Sequence, residues 1–124
     1  LHMEVINNRP DAVKLLIQAG ADRGIPDSEG RTAYHHAAIH GDRAVMSALL
    51  QGACYADLNL QDEDGETAAH WAAWAGHADV LDLLLIMKAR TDLTDHAGRT
   101  AWRRARMFRQ TACIQVLTAH GVSA

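Results

Sequence analysis

Residues Asp62–Leu85 read DEDGETAAHWAAWAGHADVLDLLL. A turn pattern with Gly65 runs into an alanine-rich stretch, then a Gly-His pair, then a block of Val and Leu. His70, Trp71 and Trp74 stand out in it. Either chemistry happens here, or this is one structural unit in a series, and the flanking sequence decides. DSEGRTAYHHAAIHGD begins at Asp27 and DHAGRTAWRRARMFRQ at Asp95. Gly30, Gly65 and Gly98 are 35 and 33 residues apart, and Thr32, Thr67 and Thr100 keep the same spacings. The apolar triples that start at Leu15, Ala48, Leu83 and Val116 are spaced 33, 35 and 33. Two extra residues between Leu50 and Asp62 account for the odd interval. Self-similarity at such a period is the mark of a repeat architecture.

The motifs TAYHHAA (Thr32 to Ala38), TAAHWAA (Thr67 to Ala73), AGH (Ala75 to His77) and LLIQAGAD (Leu15 to Asp22) closely resemble those of the ankyrin repeat. The resemblance covers nearly the whole chain. It implies an all-α solenoid of stacked helix-turn-helix units with hairpin-like tips. The family's Pro is replaced throughout, by Ala33, Ala68 and Ala101. Alanine is a good helix former, so the assignment stands.

The residues support the same picture physically. Thr at each helix start caps orphan N–H groups. Paired alanines keep the first helix slim enough for close stacking. Gly41 and Gly76 supply the positive φ that ends it. The second helix carries the Leu/Val stripe that fills the gaps between units, and three or more units make a continuous core. The helix pairs fall at LHMEVIN with Asp11 to Ala19, Thr32 to His40 with Arg43 to Gln51, Thr67 to Ala75 with Ala78 to Lys88, and Thr100 to Phe108 with Thr111 to His120. One domain, 1–124, is expected, with units near 1–26 (partial), 27–61, 62–94 and 95–124.

Composition agrees. Ala and Leu dominate the apolar residues and aromatics are 5% of the chain, which favours helix over sheet. Residues 1–95 hold 7 basic and 15 acidic side chains, whereas residues 96–124 hold 5 arginines and no acid. The two ends therefore attract different things. Cys54 and Cys113 lack metal-ligand spacing and read as free thiols, which suits a reducing, intracellular compartment (cytoplasm or nucleus). The longest apolar run, VLDLLLIM, is broken by Asp82 and falls short of the ~20 residues a membrane helix needs.

The fourth unit departs from the pattern. Arg103 stands for the family's His, Arg106 for the second Ala of the pair, and Arg109 for the glycine. Terminal repeats need a polar outer face, so these arginines read as a C-terminal cap. At the other end the array begins mid-unit, although Leu1–His2 fall where the family has its Leu-His. The expectation is a piece of a longer protein or of a larger complex.

No catalytic constellation emerges. The resemblance implies that His35 and His70 brace the turns together with Thr, and a buried polar ring is normally a satisfied one. There is no nucleophile motif, no phosphate-cradling loop, and no third ligand for the i, i+4 pair His36 and His40. Neither enzyme activity nor any cofactor or metal is expected. Asn59 stands where some ankyrin proteins carry a hydroxylated asparagine; the plainer reading is a turn-stabilising amide. Trp71 reads as packing between units.

The resemblance implies that turn tips and the ends of the first helices line a concave binding face. Those positions are Ser28, Glu29, Arg31, Ile39 and His40; Glu63, Asp64, Glu66, Trp74 and Ala75; and His96, Arg99, Met107 and Phe108. Ile39, Trp74, Met107 and Phe108 would form an apolar row, with Asp62, Glu63, Asp64 and Glu66 as acidic tips beside it, an interface core within a charged rim. The expected function is a non-catalytic module that binds a protein or peptide, with Trp74 as anchor. The alternative is nucleic-acid or anionic-ligand binding through Arg99, Arg103, Arg104, Arg106 and Arg109, against which stand the acidic balance and the lack of a reading motif.

Overall fold

Each first helix starts where a threonine holds the chain extended. Thr32, Thr67 and Thr100 have ψ of 177°, 173° and 171° and sit immediately before a helix as its N-cap. The Thr67 and Thr100 hydroxyls accept from the backbone N–H of His70 and Arg103. The threonines are therefore caps rather than first helical residues, one position outside the spans read from sequence.

The computed structural model describes residues 10–20, 25–41, 43–50 and 59–122. Seven helices occur among them: α1 (Pro10–Gln18), α2 (Ala33–His40), α3 (Arg43–Leu50), α4 (Ala68–Ala75), α5 (Ala78–Ile86), α6 (Ala101–Met107) and α7 (Thr111–Ala119). No strand occurs among the described residues. The LHMEVIN segment, Leu1–His2, Gln51, Cys54 and most of the stretch holding the two-residue insertion lie outside them.

Two layers result. The first helices α2, α4 and α6 stack on one another, and the second helices α1, α3, α5 and α7 form a parallel layer behind them. Alanines make the first layer possible: Ala37, Ala38, Ala72, Ala73 and Ala105 are all buried between neighbours. Val45, Leu49, Val80, Leu81, Leu84 and Leu117 fill the space between layers with no exposure at all. Burying each such Leu contributes roughly 2 kcal/mol.

The units are joined by main-chain atoms. In each turn the backbone closes on itself, Gly30 N–H to the Asp27 carbonyl, Gly65 to Asp62 and Gly98 to Asp95. The Asp carboxylate accepts two further N–H groups in every tip, from Glu29 and Arg31, from Asp64 and Glu66, and from Ala97 and Arg99. Successive tips are tied by Glu63 N–H to the Glu29 carbonyl and His96 N–H to the Asp64 carbonyl. His35 accepts the Thr32 N–H at Nδ1 and donates Nε2–H to the Glu66 carbonyl of the next unit at 2.8 Å. His70 repeats this with Thr67 and the Arg99 carbonyl.

A second joint lies at the helix ends. Gly41 and Gly76 take φ of 73° and 79°, and a Cβ on either would collide with the next unit: with the His77 ring at 2.3 Å, or with the Gln110 amide at 2.6 Å. Those side chains reach across the glycines to donate to the Ile39 and Trp74 carbonyls. The glycines thus end a helix and clear a seat. Arg109, at the equivalent place in the fourth unit, holds φ 54° without being glycine, as Lys88 does at 67° after α5. Helix α5 stops at Ile86, two residues before the sequence reading ended it, because Lys88 turns left-handed.

Candidate functional site

Tips and first helices meet through Trp71, which contacts Asp62 and Arg31. Tip residues Ser28, Glu29, Glu63, Asp64 and His96 are exposed, as is His40 at the end of α2. Ile39, Ala75 and Trp74 are half-buried, while Met107 and Phe108 keep 54% and 46% of their surface in solvent. Of the expected apolar row, Trp74 and Phe108 meet edge-on, with centroids 6.0 Å apart and planes at 84°. Trp71 extends that line: it meets Trp74 edge-on at 5.4 Å. Its indole N–H donates to Asp62 Oδ2 at 2.9 Å, and the Arg31 guanidinium lies 4.9 Å over its ring. Trp71 does pack, as expected, and it also continues the aromatic line. Arg104 closes the other end, 5.5 Å over the Phe108 ring. Such edge-to-face and cation–π contacts fix ring orientation, each worth ~1 kcal/mol.

Two of the expected acidic rim residues are not on the rim. Asp62 and Glu66 are 6% and 3% exposed. Glu66 Oε2 pairs with Arg104 Nη2 at 3.1 Å, both side chains being buried. Burial and the neighbouring Asp95 carboxylate push the Glu66 carboxyl up to about 7, against the pull of Arg104. Asp95 is also buried, which opposes its charge. Yet the Arg99 and Ala97 N–H groups, Glu66 and the Arg99 side chain together hold it down at about 2. Arg99 Nε meets Asp95 Oδ2 at 3.0 Å and Arg31 Nη1 meets Glu29 Oε2 at 2.9 Å. An open groove of about 450 Å³ lies over this cluster, between Asp64, Trp71 and His96. Of the expected acidic side chains, Glu29, Glu63 and Asp64 are the exposed ones.

The arginine group of the alternative reading divides in the same way. Arg99 and Arg104 are consumed by internal carboxylates; Arg103, Arg106 and Arg109 are exposed. Exception in register was the signal for the buried pair. Glu66 stands where the other units carry Arg31 and Arg99, and Arg104 stands where they carry His36 and Trp71.

The histidines are bound into the frame. Both ring nitrogens of His35 and His70 serve backbone or threonine, and burial lowers both their pKa values, so the rings are held neutral. His36 donates from Nε2 to Asp27 Oδ2 at 2.8 Å. Burial works against the Asp27 charge, but His36 and the Arg31 and Glu29 N–H groups outweigh it and hold the carboxyl near 2. Among the described residues no three His, Cys, Asp or Glu side chains are gathered as a metal site. The Cys113 thiol is free and buried, its pKa pushed up to about 11 by burial, with Sγ 3.8 Å from the Ala72 carbonyl. Asn59 Oδ1 accepts the Arg90 N–H at 2.8 Å, the work of a loop-stabilising amide. No helix among the described residues is long and apolar enough to cross a membrane.

A family model described as ankyrin repeats (3 copies) matches residues 1–95. Inversin-B of Xenopus laevis is 48% identical over 42 residues, 34% of this chain and 4% of that protein. Inversin-A of the same organism is equally identical over a stretch of equal length. The B-cell lymphoma 3 protein homolog of Mus musculus is 43% identical over 53 residues, 43% of this chain and 12% of that protein. The chain thus spans a small part of the length of these relatives. Ankyrin repeats generally act as protein–protein interaction modules and are generally non-catalytic. With its recurring Thr-His braces, slim alanine helices and two-layer stack, the chain belongs to the ankyrin-repeat family.

Proposed function

We propose that this chain is a non-catalytic recognition module, which grips a protein or peptide on the concave side of the stack. The observation that carries the reading is the line Trp71–Trp74–Phe108: three aromatic rings locked edge to edge, partly open to solvent, crossing from one unit to the next. Large rigid rings lose little entropy on binding and are the residues most enriched among interface anchors. Around them Glu29, Arg31, Glu63, Asp64, Arg99 and Met107 supply the polar and apolar rim, with Ile39 and His40 at its far end. Glu66 belongs to the support beneath. We read the chain as one domain with a capping fourth unit, acting inside the cell.

An unbiased pull-down with the 124-residue chain, followed by titration of the captured partner, tests this. Trp74→Ala should weaken binding by about 2 kcal/mol, a roughly thirtyfold rise in Kd. Unchanged affinity of that variant would remove Trp74 from the interface.

A further inference from the structure

The fourth unit carries chemistry at its joint positions that the second and third do not. Those units present His35, Ala38 and Gly41, or His70, Ala73 and Gly76. The histidines bond the next backbone, the alanines are buried, and the glycines admit the next unit's side chain. The fourth unit places Arg103, Arg106 and Arg109 there, all exposed and without an ion pair among the described residues. Trp102 and the exposed Met107 lie beside them, and together with Arg103 and Arg106 they line an open pocket of about 370 Å³. The Trp102 indole N–H is shielded from solvent and has no hydrogen-bond partner among the described residues.

We infer that this pocket docks an acidic, partly apolar segment of a protein partner: its carboxylates sit on the guanidinium forks of Arg103 and Arg106, and an apolar side chain rests on Trp102 and Met107. Guanidinium matches carboxylate in a planar, two-pronged contact, and the aromatic–thioether floor supplies what a bare charge cluster lacks. Charge selects a short peptide over a long polyanion. Residues 96–124 contain no acid, so a short segment meets only arginine, whereas residues 1–95, with 7 basic and 15 acidic side chains, repel an extended nucleic acid. Arg99 and Arg104, already paired internally, add nothing to a nucleic-acid footprint.

The pocket shares Met107 with the rim of the Trp74 line but none of its three rings, and Arg103 and Arg106 belong to the pocket alone, so the two readings fail separately. The probe is a dye-labelled peptide of four glutamates around a Leu-Phe pair, titrated with the 124-residue chain by fluorescence anisotropy at low salt. A single-stranded oligonucleotide of equal charge forms a second arm. Saturable peptide binding is expected, about tenfold weaker in Arg103→Glu/Arg106→Glu, intermediate in the Arg103→Gln/Arg106→Gln pair, and unchanged in Trp74→Ala. Both arginines are exposed, and a melting curve confirms that each variant is folded. Absence of saturable binding to the wild-type chain, equal affinity in the charge-reversed variant, loss of binding in Trp74→Ala, or tighter binding of the oligonucleotide would each overturn the inference.

Discussion

Two neutral histidines inside the joints should make the stack acid-sensitive, and Glu66 should work against them. Burial lowers the pKa of His35 and His70 below the ordinary 6.5. As pH falls through 6.5 the unfolded chain takes up these protons first, so the stability they carry is complete above that value and is lost below it. Each can withdraw up to about 1.4 kcal/mol per pH unit. Glu66 has the opposite sign. Its carboxyl lies at about 7 in the folded chain against an ordinary 4.5, so the folded state binds the proton first. Its contribution is complete below 4.5 and is lost as pH rises through 7. Between pH 6 and pH 5 Glu66, protonated in the folded chain and ionised in the unfolded one, therefore offsets about 1 kcal/mol of what the wild type loses through its histidines, the effect of roughly one proton. Glu66→Gln removes the opposing group and should lose about 1 kcal/mol more than the wild type over the same interval. Urea midpoints multiplied by their slopes, in buffers across that range, give both profiles. Parallel profiles for the two proteins would refute the raised Glu66 carboxyl, and flat profiles in both would refute the neutral buried histidines.

The joints invite two further tests by urea denaturation. Gly41→Ala forces a left-handed non-glycine backbone and drives a methyl into the His77 ring, so it should cost about 2–3 kcal/mol; a loss under 1 kcal/mol would mean that the seat is not needed. Lys88→Gly and Arg109→Gly relieve positive φ at residues that are not glycine, and each should stabilise by about 1 kcal/mol; destabilisation by either would contradict its backbone assignment.

Local and periodic features were legible in the sequence. Thr32, Thr67 and Thr100 head the first helices because a cap needs only its own turn. The alanine pairs and leucine triples report burial directly, since each recurs at the same place in its unit. Two of the features that escaped depend on residues more than thirty positions away, and one is a backbone turn. Glu66 reads as a tip residue like Arg31 and Arg99, and it is buried because Arg104, 38 residues on, reaches back to it. Lys88 and Arg109 have no residue signature of left-handed backbone, so the sequence pattern alone carries α5 past Ile86. Likewise the partnership of Gly41 with His77 joins a helix end to the following unit, and nothing in either local sequence announces it.

The ties between tips have a consequence for how such a protein changes over time. Glu63 N–H to the Glu29 carbonyl, His96 N–H to the Asp64 carbonyl, and the imidazole reach to Glu66 and Arg99 all grasp peptide groups that every amino acid except, for the N–H, proline provides. Mutation can therefore rewrite the outward side chains of a tip letter by letter while the mortar between the units stays set, leaving partner choice open to selection at little risk to the scaffold.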